Sequence, residues 1–218
     1  MPRVAFIHAL PESIAPLNAA MGEAWPACQR MHLLDDSLSA DLARSPSGLD
    51  ETFDQRFIAL GAYAAATGAA GILFTCSAFG RCIEEVSRRL PALPVLKPNE
   101  AMIDEAVATG ARIGLVATFA PTLASMLPEF PPACDVRVAL AMGGLEALRA
   151  GDAGRHDAII AESAERLVED GCAVIALAQF SMARAAGEVH ARTGVPVLTT
   201  VGSAVRRLRA RVEAGPHA

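Results

Sequence analysis

The feature that most constrains this chain is a pair of ordered series of short apolar runs, each separated by longer stretches. The first series is Arg3–His8, Met31–Leu34, Gly71–Cys76 and Leu93–Leu96. The second is Arg112–Ala117, Val136–Leu140, Ala173–Ala178 and Val195–Leu198. Runs this short and this continuously apolar read as strands buried on both faces, and the stretches between them are long enough for helices. The alternation therefore predicts an α/β fold with mainly parallel sheets flanked by helices.

The two series resemble each other. Arg3-Val4-Ala5-Phe6-Ile7-His8 matches Arg112-Ile113-Gly114-Leu115-Val116-Ala117, an offset of 109. Gly68 to Cys76 matches Gly171 to Gln179 at 103, and Pro94-Val95-Leu96 matches Pro196-Val197-Leu198 at 102. Constant order with near-constant offsets points to duplication of a four-stranded unit, giving two pseudosymmetric lobes. The first lobe is expected over residues 1–98, with the C-terminal helix (201–218) packing back on it; the second spans 99–200. Lys97-Pro98-Asn99-Glu100 carries the crossover. Ligands of open α/β sheets bind beyond the carboxyl ends of the strands. A site between the lobes would then draw on His8–Glu12, Thr75–Phe79, Thr118–Thr122 and Gln179–Met182.

Composition removes several classes. With 52% apolar and 20% charged residues the chain can build a core. A net charge of −5 and few aromatic residues argue against nucleic-acid binding, which needs basic or base-stacking surfaces. Lys97 is the only lysine, so Schiff-base chemistry has a single candidate. Phe57 to Gly80 carries no charge and is long enough to span a bilayer, but Gly61, Gly68 and Gly71 divide it. It reads as a buried helix, a turn and a strand, so no membrane partner is expected. The five cysteines are odd in number, form no CxxC pair and follow no signal peptide, which reads as reduced thiols in a cytoplasmic protein.

Cys76 is the most informative residue. It ends an apolar strand in Thr75-Cys76-Ser77, with a helix through Arg81 to Val86 and Ser77 as a candidate N-cap. A thiol at a helix N-terminus is expected to ionise below the ~8.5 of free cysteine, although burial as a packing residue is the common alternative. Cys28, Cys82, Cys134 and Cys172 read as packing or surface residues, and no zinc or iron–sulfur spacing is present. Thr75, Ser77, Thr118, Thr122 and Ser181 lie where hydroxyls and helix N-termini could hold a carboxylate; each could equally be a helix cap. His8 could meet Cys76 as a Cys–His pair, or serve as a hydrogen-bonded structural histidine.

These residues place the chain beside a known group. Gly71–Gly80, Lys97 to Met102, Gly114 to Thr118 and Gly171 to Met182 make it resemble the aspartate/glutamate/hydantoin racemase superfamily, which includes arylmalonate decarboxylase and maleate cis–trans isomerase. The resemblance implies two α/β lobes with the site between them, no cofactor, a small carboxylate or cyclic amide as substrate, and frequent homo-oligomers. In family racemases each lobe supplies one cysteine, one thiolate removing the Cα proton and the other thiol delivering a proton opposite. Cys76 matches the first. The second position is Gln179, or Ala178 after a one-residue slip, and neither exchanges a proton at neutral pH. The resemblance thus implies a cofactor-independent isomerase or decarboxylase with Cys76 as its one acid, base or nucleophile. Gln179 would donate a hydrogen bond, and His8, Thr75, Ser77, Thr118, Thr122 and Ser181 would surround the substrate. The alternatives are a carboxylate-binding protein on a racemase scaffold without activity, and a Cys76/His8 amide hydrolase.

Overall fold

The structure, a computed structural model, describes residues 1–215; the last three residues of the expected 201–218 helix lie outside them. Its strands are β1 (Arg3–His8), β2 (Gln29–Leu34), β3 (Ile72–Phe74), β4 (Val95–Leu96), β5 (Ile113–Ala117), β6 (Val136–Leu140), β7 (Val174–Leu177) and β8 (Val197–Thr199). They form two four-stranded sheets, ordered β2-β1-β3-β4 and β6-β5-β7-β8, with every pairing parallel. This is the two-lobed α/β architecture read from the sequence.

The lobes correspond hydrogen bond by hydrogen bond. Thr75 N–H donates to the Ile7 carbonyl at 3.0 Å, and Ala178 N–H to the Val116 carbonyl at 2.9 Å. Ile72 N–H donates to Pro94 at 2.8 Å, and Ile175 N–H to Pro196 at 2.9 Å. Ala70 N–H reaches Arg3 and Ala173 N–H reaches Arg112. The ladders therefore reproduce the offsets of 109, 103 and 102 found by matching the sequence. Gly68 and Gly171 are a matched pair in the left-handed region, at φ +76° and +88°, each following the helix that leads into the third strand of its lobe. Only glycine adopts that conformation without strain.

The helices are α1 (Ile14–Ala24), α2 (Ser37–Arg44), α3 (Glu51–Ala66), α4 (Gly80–Arg89), α5 (Glu100–Ala108), α6 (Ala120–Met126), α7 (Gly144–Arg149), α8 (Ala153–Glu169), α9 (Ala186–Thr193) and α10 (Thr200–Ala214). Side chains on one face of the first sheet pack with Phe53, Phe57 and Val86 of α3 and α4; those on the other pack with Leu17 and Met21 of α1 and Val205 and Leu208 of α10. The second sheet has Ile160 and Ala164 of α8 on one side and Met102, Ile103 and Met126 of α5 and α6 on the other.

The helix that follows the last strand of each lobe thus serves the other lobe. α5 follows β4 yet fills the second core, and α10 follows β8 yet fills the first. The two exchanged helices meet through Arg206–Glu105 and Arg207–Asp104 ion pairs. Close approach of α10 explains Gly71: a Cβ there would lie 2.8 Å from Val212. The matching position in the second lobe is Val174, which is buried.

One expectation needs adjustment. β2 and β6 are edge strands and are partly exposed, with Val138 at 45% and Leu140 at 39%. An edge strand has a neighbour on one side only, so an apolar run does not by itself mean burial on both faces. The uncharged stretch Phe57 to Gly80 is divided as expected, α3 ending at Ala66 and β3 starting at Ile72. Among the described residues no helix is long and apolar enough to cross a membrane.

Candidate active site

The strand ends of the two lobes meet. Cys76 follows β3 and Gln179 follows β7, and the matched Thr75 and Ala178 hydrogen bonds make them equivalent positions, without a one-residue slip. Ser77 crosses between the lobes and donates its hydroxyl to the Ala178 carbonyl at 2.9 Å. Ser77 is therefore not the helix cap expected from sequence: a 3₁₀ turn, Ser77–Phe79, precedes α4, and no side chain caps either. Cys76, Ser77, Thr118 and Gln179 are all buried in this arrangement.

On the first-lobe side Cys76 packs with Leu38 and Leu42 of α2. Burial dominates its ionisation and pushes the thiol up to about 11; Ala78 N–H favours the thiolate but does not overcome that cost, and the Ser39 hydroxyl beside the sulfur spends its one proton elsewhere. The expected depression of the thiol pKa is thus reversed. The reason lies in burial of the sulfur within the first-lobe apolar cluster, whereas the residues after Cys76 offer only the Ala78 N–H. Ser39 itself donates to the Ala9 carbonyl at 3.0 Å. In the sequence the only signal for Ser39 is its place shortly after the end of β2.

Thr75 turns to the other side. Its Oγ1 lies 2.9 Å from His8 Nδ1 and 3.0 Å from Ser13 Oγ. Ser13 gives its one proton to the Leu10 carbonyl at 2.7 Å, so it must accept from His8 Nδ1, 2.6 Å away. His8 Nε2 is then an acceptor, and His32 Nδ1–H donates to it at 2.9 Å. Burial, with a smaller contribution from His32, holds His8 down to about 3. A neutral imidazole below a protonated thiol is the opposite order to the thiolate–imidazolium pair of a Cys–His hydrolase. Among the described residues no hydrogen bond joins His8 to Cys76.

The second-lobe side is simpler. Gln179 Oε1 accepts from Thr118 N–H at 2.6 Å and lies 3.0 Å from Thr118 Oγ1. A backbone N–H can only donate, so the amide oxygen must face Thr118. Among the described residues the Gln179 NH2 has no partner, which leaves it available as a donor. Thr122, in the first turn of α6, is fully buried and its hydroxyl has no partner. Ser181 is also buried and unpartnered, but it lines a separate cavity beside α1.

The remaining candidates lie elsewhere. Cys28, Cys82 and Cys172 are buried free thiols and Cys134 is partly exposed. Lys97 is held by Glu84 at 2.7 Å and Glu129 at 3.1 Å. Burial acts to lower its pKa, yet these carboxylates raise it, which keeps the amine protonated. Among the described residues no group of three or more His, Cys, Asp or Glu side chains could hold a metal ion.

Comparison with known proteins agrees with this geometry. The Asp/Glu/Hydantoin racemase family matches residues 17–208. A glutamate racemase from Bacillus anthracis superposes with a TM-score of 0.79 at 10% identity, over 98% of this chain and 82% of that one. An allantoin racemase from Klebsiella pneumoniae gives 0.71 at 19% identity, over 98% and 89%. A mutant arylmalonate decarboxylase gives 0.65 at 19% identity, over 98% and 94%. No curated protein matches in sequence. With most of its length matched by the family and the fold shared across both lobes, this chain belongs to the Asp/Glu/hydantoin racemase family.

Proposed function

We propose that the chain is a cofactor-independent enzyme that protonates, from one side only, the carbon next to a carboxylate of a small acid. The observation that carries this reading is the equivalence of Cys76 and Gln179 across the lobes, one a proton donor and the other fixed as a hydrogen-bond donor. Inversion at Cα needs a base and an acid on opposite faces. Here one face offers a thiol and the other an amide that does not ionise.

Decarboxylation is the family chemistry that best suits this pair. The bond between the α carbon and one carboxyl group breaks, carbon dioxide leaves, and the electron pair spreads onto the remaining carboxylate as an enediolate. Gln179 NH2 donates to an enediolate oxygen, where developing charge is stabilised most. Cys76 S–H transfers its proton to the α carbon, and the thiolate regains one from water. A thiol raised to about 11 is supplied in the protonated form this step needs. Substrate entry requires the Ser77–Ala178 bond to open, which frees the Ser77 hydroxyl for a carboxylate. Thr75 and His8 support the strand end from behind; Thr118 sets the amide.

The test is turnover of 2-substituted malonates in D₂O, with carbon dioxide release and product chirality followed together. One deuterium entering on a single face, lost in Cys76→Ala, is the expected result. Efficient inversion of aspartate, glutamate or hydantoins by the unmodified protein would overturn the one-thiol mechanism. No turnover, together with dicarboxylate binding, would leave a binding protein on this scaffold.

A further inference from the structure

The two sheets end in edge strands that match in position and differ in chemistry. β2 closes the first sheet and β6 the second, each with a strand neighbour on one side only. In β6 the odd-numbered residues turn their backbone groups to β5: Ile113 N–H donates to the Asp135 carbonyl, and Ala141 N–H to the Ala117 carbonyl. The backbone groups of Val136, Val138 and Leu140 therefore point outward. Among the described residues the Val138 N–H and carbonyl, the Val136 carbonyl and the Leu140 N–H have no partner; the Leu140 carbonyl accepts from Met142 N–H at 2.9 Å.

The register of the two ladders gives the matching outward positions in β2. Arg30 corresponds to Val136, His32 to Val138 and Leu34 to Leu140. Natural sheets blunt a free edge with charged side chains, because open N–H and C=O groups beside apolar residues are a template for another strand. Arg30 and the imidazole of His32 serve that purpose in the first lobe. The second lobe has valine at both positions, and Val138 and Leu140 are exposed. The side chains of Val136, Val138 and Leu140 share one face of the strand, and Arg137 and Ala139 share the other.

We propose that β6 is the interface of a homodimer, pairing antiparallel with β6 of a second copy about a two-fold axis at Val138. Val138 exchanges N–H···O=C bonds with Val138 of the second copy, and each Leu140 N–H donates to the Val136 carbonyl opposite. The two second-lobe sheets then form one continuous sheet. Charge complementarity selects this occupant and this register. On the apolar face Val138 meets Val138 and Val136 meets Leu140. On the other face Arg137 meets Ala139, so the one charged side chain within β6 faces no like charge. Moving the axis to Arg137 sets two guanidiniums directly opposite, which is destabilising. The strand is thus complementary to itself, as a two-fold interface requires. Five residues make a small contact beside a standard interface of about 800 Å² per partner, so the dimer is a reversible one. The interface is separate from the proposed chemistry and stands whether or not Cys76 is catalytic.

Sedimentation equilibrium of the full chain, from micromolar to millimolar concentration, tests the proposal. The mean mass should rise from that of one chain toward that of two. Val138→Lys sets two ammonium groups opposite each other at the axis and should weaken association at least ~10-fold; Val138→Glu should do the same with two carboxylates. Mixing these two variants places an ammonium opposite a carboxylate and should restore association, which misfolded variants could not do. Leu34→Lys, on the outward row of β2, should leave association unchanged. The mass of one chain at every concentration would show that no second copy occupies the edge. That result would overturn the proposal, as would a dimer that survives Val138→Lys, one that Leu34→Lys disrupts as strongly, or a mixture no more associated than either variant alone.

Discussion

The first and second lobes share strand order and ladder register, yet their strand ends are built from different chemistry. In the first lobe the ends of the central strands hold His8 and Thr75, tied into a network with Ser13 and His32, and then Cys76, which stands outside that network. In the second the matching positions are Ala117, Ala178 and Gln179, two of them plain core alanines. A duplicated frame thus carries one titrating side and one fixed side. Symmetry of the backbone does not impose symmetry of function: the backbone register is set by strand pairing, while each strand-end side chain can change without disturbing it.

The sharpest way to break the comparison is to exchange the two ends. Cys76→Ala should cut turnover by about 10²–10⁴-fold, the usual worth of a positioned proton donor. Gln179→Cys, by contrast, should introduce Cα–deuterium exchange with inversion, read by chiral analysis in D₂O. If Gln179→Ala is as damaging as Cys76→Ala and Gln179→Cys gains nothing, the assignment of roles to the two lobes is wrong.

A second comparison concerns the exchanged helices. Leu208→Ala on α10 should destabilise the protein by about 2–5 kcal/mol, as a large-to-small change in a filled core. Gly71→Val, which copies the second lobe's Val174, should cost about 1–3 kcal/mol by overpacking against Val212 and Leu208. Urea unfolding measures both. A neutral Gly71→Val would show that α10 does not press on the first sheet as described.

Gln179→Leu should cost about 1–3 kcal/mol, because it leaves Thr118 N–H and O–H buried without an acceptor. Cys76→Ala, tested alongside it, removes no partner from a backbone donor in the second lobe. Thermal unfolding of the two variants should therefore separate the lobes, with Gln179→Leu exceeding the small cavity cost at Cys76.

The last expected effect, small for each pH unit crossed, is on pH dependence. His8 is held neutral in the fold and down to about 3, so its contribution is fully present above the ordinary histidine pKa of ~6.5 and is lost as pH falls toward 3. The slope is at most about 1.4 kcal/mol per pH unit. Cys76 acts at the other end: with its thiol raised, stability is present below ~8.5 and declines as pH rises toward about 11. His8→Asn should flatten the acid side alone. An unchanged acid slope in His8→Asn would place the titration elsewhere, with His32 the next to change.

The two four-stranded lobes, their pairing and the Cys76–Gln179 correspondence were legible because a repeated apolar pattern survives in the sequence even when the side chains between diverge. The state of the thiol was not. It depends on burial in a cluster that reaches back to Leu38 and Leu42 of α2, more than thirty residues earlier, and local spacing around Cys76 suggests the opposite sign. The orientation of the Gln179 amide was equally hidden, since it is decided by one backbone N–H on another strand. Ser77 was placed correctly at the junction, but its hydrogen bond runs across the lobes rather than along its own helix.

The crossing of α5 and α10 bears on how the chain is made. During synthesis the first hundred residues emerge with one face of their sheet covered by α1 alone, because Val205 and Leu208 of α10 come more than a hundred residues after β4. The second lobe receives α5 ahead of its own strands and can close as it appears. The lobe made first is therefore the one completed last, and its Val4, Phe6 and Leu73 face stays only partly covered, open to chaperones or to misassociation, until α10 has been made. Shortening the chain before α10 should leave a protein whose older half is the one that aggregates.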